Sequence, residues 1–160
     1  MKKTELLERV REAHGKLTAA LDGLSEAEAT RTGLNENWSV KDALSHISAW
    51  EIEGTRMLEE IQRGTWKPQK FDKQMIDDFN ARATEERRAA SMAEVRAEFD
   101  AAHRRMEETL AALPDEVDEA TPTYKFAEVV TFRHHTHHAA QIEEYKQRMK
   151  AEAGTVDSSQ

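Results

Sequence analysis

Apolar residues recur at intervals of three and four along four long stretches of this chain, and that period restricts the possible folds more than any other feature. In the first stretch, Leu6, Leu7, Val10, Ala13, Leu17, Ala20, Leu21 and Leu24 draw one face of a helix from about Lys3 to Leu24. A second helix is expected to open at Trp38-Ser39-Val40-Lys41-Asp42, where Ser39 can cap free amides and Asp42 puts negative charge in the first turn. It runs to about Arg63 and stops at Gly64. The Ser91-Met92-Ala93-Glu94 capping box starts a third, carrying Val95, Phe99, Ala102, Met106, Leu110 and Leu113 up to Pro114. A fourth is expected from about Lys125 to about Glu152, with Phe126, Val130, Ile142, Tyr145 and Met149 inward.

Stripes of this kind are buried only against one another, so the expected fold is all-α: a four-helix up-and-down bundle. The connection from Gly64 to Ala90 is the least regular part, with a short helix across Asp72 to Ala83. One domain over residues 1–153 is expected, followed by a flexible tail at 154–160. Scarce glycine and proline, six and three, agree with helix throughout.

The formal charge of −8 and the interleaving of basic with acidic residues leave no basic stripe for phosphate, so no nucleic-acid partner is expected. Cysteine is absent, which excludes disulfides, thiolate metal ligands and a cysteine nucleophile. No stretch approaches the roughly twenty apolar residues of a spanning helix, and the charged start has no apolar signal core. A cytoplasmic location and no membrane partner are the corresponding expectations.

Seven histidines occur, four of them in His134-His135-Thr136-His137-His138. At about 100° per residue, His134 and His138 stack on one face near the middle of the fourth apolar stripe. His137 lies at its edge and His135 points away. Two imidazoles at i and i+4 can reach one divalent ion at about 2.0–2.1 Å, and a third ligand must come from elsewhere. His46 flanks the apolar face of the second helix among Ala43, Ile47 and Trp50. It lies about two turns in, matching the depth of His134 if the second and fourth helices run the same way. His14 and His103, the latter among charged neighbours, are weaker candidates. Against this stands the ordinary reading of an inward histidine as a hydrogen-bonded core residue.

The segment NWSVKDALSHISAWE (Asn37 to Glu51) resembles the second-helix signature of the DinB-like superfamily, and HHTHHAAQI (His134 to Ile142) resembles its fourth-helix signature. The stretch from Asp77 to Glu116 is similar to the ClbS/DfsB-type branch. The resemblance implies a four-helix bundle, frequently a homodimer, with His46, His134 and His138 as ligands to zinc or nickel. Members of that family include thiol-dependent transferases and isomerases and a colibactin-protective hydrolase.

Three neutral histidines leave a coordination position for water or substrate, the arrangement of a catalytic centre. Hydrolysis or thiol transfer on a small molecule is the expected chemistry, with a non-catalytic ligand-binding or structural dimer as the alternative. Glu51, one turn beyond Ile47, is a candidate to orient a ligand or accept a proton, or else a rim charge reaching solvent. Gln141 and His137 are candidate outer partners of the ligands, and Gln141 could equally serve as an interior hydrogen bond. Tyr145 reads as packing.

Overall fold

Polar side chains at the ends of the apolar stripes set where the helices begin. Ser39 and Asp42 form a reciprocal capping box, as do Ser25 and Glu28, while Asp72, Ser91 and Thr121 each accept an amide of their own first turn. Gly64 closes a helix in the left-handed conformation, with φ of 76°. In this computed structural model, which describes residues 1–158 and side chains through residue 154, the elements are α1 (Lys3–Leu21), α2 (Glu26–Thr30), α3 (Val40–Arg63), α4 (Lys73–Glu86), α5 (Met92–Ala111), α6 (Pro122–Val130) and α7 (Phe132–Ser158). Among the described residues there is no strand, only a single bridge between Lys2 and Glu116, and no helix is long and apolar enough to cross a membrane.

The all-α bundle is the expected class, with three local differences. Helix α2 lies in what reads as a polar break, because five residues are too few to show a stripe. The expected fourth helix is divided at Thr131, whose φ of −115° and ψ of −97° interrupt it between α6 and α7. The tail expected from Gly154 starts within α7, and its residues 159 and 160 lie outside the described residues.

The order of the long helices also departs from up-and-down. Arg9 of α1 stands over Phe132, at the start of α7, and Lys146 of α7 donates to Ala20 and Asp22 at the end of α1, so α1 and α7 run parallel. Lys41 donates to the carbonyls of Arg88 and Ala90 just before α5, and Gln62 to that of Thr109, so α3 and α5 are parallel too. The physical reason is α4. It runs back along α3, placing Phe79 and Asn80 against Trp50 and His46, and returns the chain to the start of α3 before α5 begins. Helices α3 and α7 are antiparallel, with Val130 and Phe132 at the Gly54 end and Tyr145 packed on Gly33 at the other.

Two apolar clusters fill the bundle. One gathers Leu17, Leu44, Ile47, Phe99 and Ile142; the other gathers Val10, Leu58, Met106, Leu110 and Val130. Gly54 permits the close contact of α3 with α6, since a Cβ there would lie 2.6 Å from Val130 Cγ2. Helix propensity alone favours alanine over glycine by about 1 kcal/mol. Gly54→Ala is nevertheless expected to destabilise the protein by about 1–2 kcal/mol, because overpacking a stiff buried valine outweighs that gain. Gly15→Ala, at a position with nothing within 4 Å, is expected to stabilise it. Urea unfolding of both variants, and of Gly54→Ala combined with Val130→Ala, checks this: the double variant should show rescue through positive coupling.

Candidate metal centre

The capping box at Ser39 fixes the start of α3, so that His46, two turns on, lies beside the buried stripe of Val40, Ala43, Leu44 and Ile47. On α7, His134 and His138 share one face toward α3. The three rings meet: His134 Nε2 lies 2.7 Å from His46 Nε2, and ring centroids are separated by 4.6 Å (His46–His134), 5.2 Å (His46–His138) and 4.7 Å (His134–His138). One nitrogen from each falls within 4.8 Å of the others. Nitrogens sharing a tetrahedral ion at 2.0–2.1 Å stand ~3.3 Å apart, so modest ring movement suffices to close the set on a cation.

The convergence expected from the sequence therefore occurs, but not through helices running in the same direction. Helix α7 overruns the start of α3, reaching Tyr145, whose hydroxyl donates to the Glu28 carbonyl. His134 and His138 thus lie level with His46 although α3 and α7 are antiparallel.

Neighbouring groups fix which nitrogens are free. Trp50 Nε1–H donates to Asn80 Oδ1 at 2.7 Å, and an indole can only donate, so that Asn80 atom is the carbonyl oxygen. His46 Nδ1 lies 2.8 Å from the same oxygen and must therefore carry its proton, which leaves the Nε2 lone pair turned to His134. His138 Nδ1–H donates to Gln141 Oε1 at 2.9 Å, with the same result for its Nε2. Gln141 is thus a partner of a candidate ligand, as the spacing suggested. Asn80 was not legible beforehand, being 34 residues from His46 on a helix with no marked stripe. His137 is exposed, its ring 4.9 Å from that of His138.

Burial disfavours the protonated rings. It pushes His134 down to about 2, helped by His138 and His46, and His138 down to about 4 against the opposing hydrogen bond of Gln141. Burial lowers His46 as well. His134 Nδ1 is buried without a partner. Three neutral imidazoles, with Nε2 lone pairs on His46 and His138 and the His134 ring between them, form a donor set that fits a divalent cation of the zinc type once the His134 proton is released.

A second polar group lies across the helix from this one; it corrects the expectation for His135 and removes one of the two readings of Glu51. His135, expected to point away from the core, is fully buried, because α7 packs on α1 as well as on α3 and its hidden arc is wider than one stripe. Glu51 is fully buried rather than at a rim. Its Oε1 accepts from His103 Nδ1 at 2.7 Å and its Oε2 from His135 Nε2 at 3.1 Å. Burial alone would raise Glu51, but these hydrogen bonds prevail and hold it below the usual carboxylate range. Burial likewise works against a charge on His103, yet Glu51 and Glu107 outweigh it and hold its pKa up. His14 stacks on His103 at 3.7 Å with ring planes 4° apart, and burial together with its histidine neighbours lowers it to about 4.

Nitrogens of His14, His103 and His135 also come within 4.8 Å of one another. His14 and His103 stack in parallel, which aims their in-plane lone pairs side by side rather than at one point. The group at His46 is the better candidate.

These shifts give a pH dependence with a definite sign. Lowered histidines bind fewer protons in the folded than in the unfolded chain, so their contribution falls as pH drops below the unfolded value of 6.5. Between pH 7 and pH 5, His14, His134 and His138 are each expected to remove about 2 kcal/mol of stability from the metal-free protein. His103, raised on folding, acts in the opposite sense and reduces the total. Urea unfolding at the two pH values measures the loss, and His134→Gln should flatten it; a pH-independent midpoint contradicts the assignment.

The sequence matches the DinB superfamily over residues 4–144. No curated protein matches it. Among solved structures, the Sibling Lethal Factor Precursor DfsB is similar at a TM-score of 0.80 and 12% identity, over 93% of this chain and 97% of its own. A protein from Escherichia coli UTI89, described as uncharacterised, gives 0.80 and 11%, over 93% and 95% of the two chains. A Streptococcus pneumoniae protein gives 0.76 and 17%, over 92% and 91%. At these identities the structures speak for the fold, and the sequence match speaks for descent: the chain belongs to the DinB superfamily.

Proposed function

We propose that this protein is a metal-dependent enzyme acting on a small molecule, as a hydrolase or a thiol-dependent transferase, with His46, His134 and His138 holding one zinc or nickel ion. The observation that carries the reading is the meeting of three neutral imidazoles whose outer nitrogens, at His46 and His138, are already committed to Asn80 and Gln141. Held by His46, His134 and His138, such an ion would supply Lewis-acid activation of a water or a thiol. Asn80 and Gln141 hold the ligand tautomers and keep the rings aimed inward. His137, exposed beside His138, packs its ring edge-on against that ligand. Glu51 has a positioning role in this reading and is not the base, since both its oxygens are engaged by histidines.

That engagement of Glu51 also favours a second reading, a module that binds a small ligand without transforming it. Retained ligand capture by a folded, metal-free His138→Ala variant would select the second reading over the first.

Metal analysis of protein grown with zinc and nickel is expected to find one ion per chain, lost in His46→Ala and His134→Ala at unchanged helical content. Asn80→Ala is expected to weaken metal binding about 10–100-fold while leaving the ligands in place. Zinc at a thousandfold excess over its Kd should stabilise the wild type by about 4 kcal/mol. Protein that takes up no stoichiometric metal contradicts the proposal.

A further inference from the structure

Beside the candidate ligands lies a cavity of about 300 Å³ whose walls come from four parts of the chain. Trp50 and Met57 of α3 form one side, Phe71 and Ile76 of the α4 arm a second, and Phe126 and Val129 of α6 a third, with His46 and His134 at one end. No Asp, Glu, Lys or Arg lines it. The one polar atom of Trp50 is already given to Asn80, so its indole adds only apolar surface. Val129 is 53% exposed, and Phe71, Ile76 and Phe126 are incompletely covered, so the cavity opens to solvent along an apolar rim.

Apolar side chains left half covered around a concave surface are what a small-ligand site presents, with a few polar groups at one end to fix orientation. Here those groups are the two imidazoles. The volume is about twice that of a cavity that admits benzene, and corresponds to a chain of about six to eight carbons or a two-ring aromatic. A charged body would be desolvated here without a partner.

We propose that this cavity receives the uncharged, apolar body of the substrate, so that the substrate class is a small amphiphile whose polar head meets the metal and whose hydrocarbon or aromatic part lies between α3, the α4 arm and α6. The inference rests on the metal-centre reading and adds to it the chemistry of the part of the substrate that does not react.

Straight-chain alkyl hydroxamates, from acetohydroxamate to octanohydroxamate, test it as metal-binding probes of graded length in calorimetric titrations of the zinc-loaded full chain. Affinity is expected to rise about fourfold per methylene, the equivalent of about 0.8 kcal/mol, and to level off near six to eight carbons. Val129→Glu changes an exposed rim position. It should retain zinc and acetohydroxamate binding but lose most of the gain on lengthening. Affinity independent of chain length in the wild type, or an equal gain in Val129→Glu, overturns the proposal. Titration of the metal-free protein with 1-hexanol, followed by methyl NMR, separates the two readings. Saturable shifts at Ile76, Val129 and Val130 support the cavity even if no zinc binds, which would then count against the metal centre alone. No shift at those methyls overturns the cavity.

Discussion

A buried carboxylate governs the middle of this bundle. Glu51 is the one acidic side chain that the fold encloses fully among the described residues, and it is held by a histidine from α5 and another from α7. His14 of α1 completes the layer by stacking on His103. Each long helix thus gives one residue to a polar stratum, with an apolar cluster on either side of it. Hydrophobic burial would permit the helices to slide or turn against one another at modest cost. An enclosed charge does not, since removing one partner from such a pair costs on the order of 3–5 kcal/mol. The stratum sets the register that the apolar stripes leave loose.

That register is what the candidate metal centre inherits. His134 and His135 are consecutive, and at about 100° per residue they face different neighbours. When His135 is bound to Glu51, the rotation of α7 is settled, and His134 and His138 are delivered to His46. Helix α4 then secures the other side, through the single Asn80 oxygen that serves both His46 and Trp50. The candidate ligands are held by groups that belong to the folding problem.

What could be read from the amino acids follows from how local each signal is. The i, i+4 spacing of His134 and His138 and the flank position of His46 are properties of single helices and were legible without the packing, whereas the matching depth was argued from parallel helices, which this fold does not have. The helix starts were legible for the same reason, as at Ser39 and Ser91, where cap and first turn are neighbours in sequence. The order of helices was not, because it depends on α4 running back along α3, and α4 buries only Ala83 and shows little stripe. Nor was the polar stratum. His135 reads as pointing away, His14 and His103 as weaker ligand candidates and Glu51 as either a ligand-orienting group or a rim charge; only long-range contacts, 52 residues apart for His103 and 84 for His135 measured from Glu51, bring them into one layer.

The division of labour between His134 and His135 has a consequence for how this segment can vary. Exchanging one side chain there costs that residue's own contacts, as at His135 with Glu51, and leaves the direction of the others unchanged. Its length cannot. Inserting or deleting one residue there would turn everything beyond it by about 100° and lift both histidine groups from their partners at once. Between Phe132 and Gln141 a substitution is a local loss, whereas a change of length is a loss of both groups together.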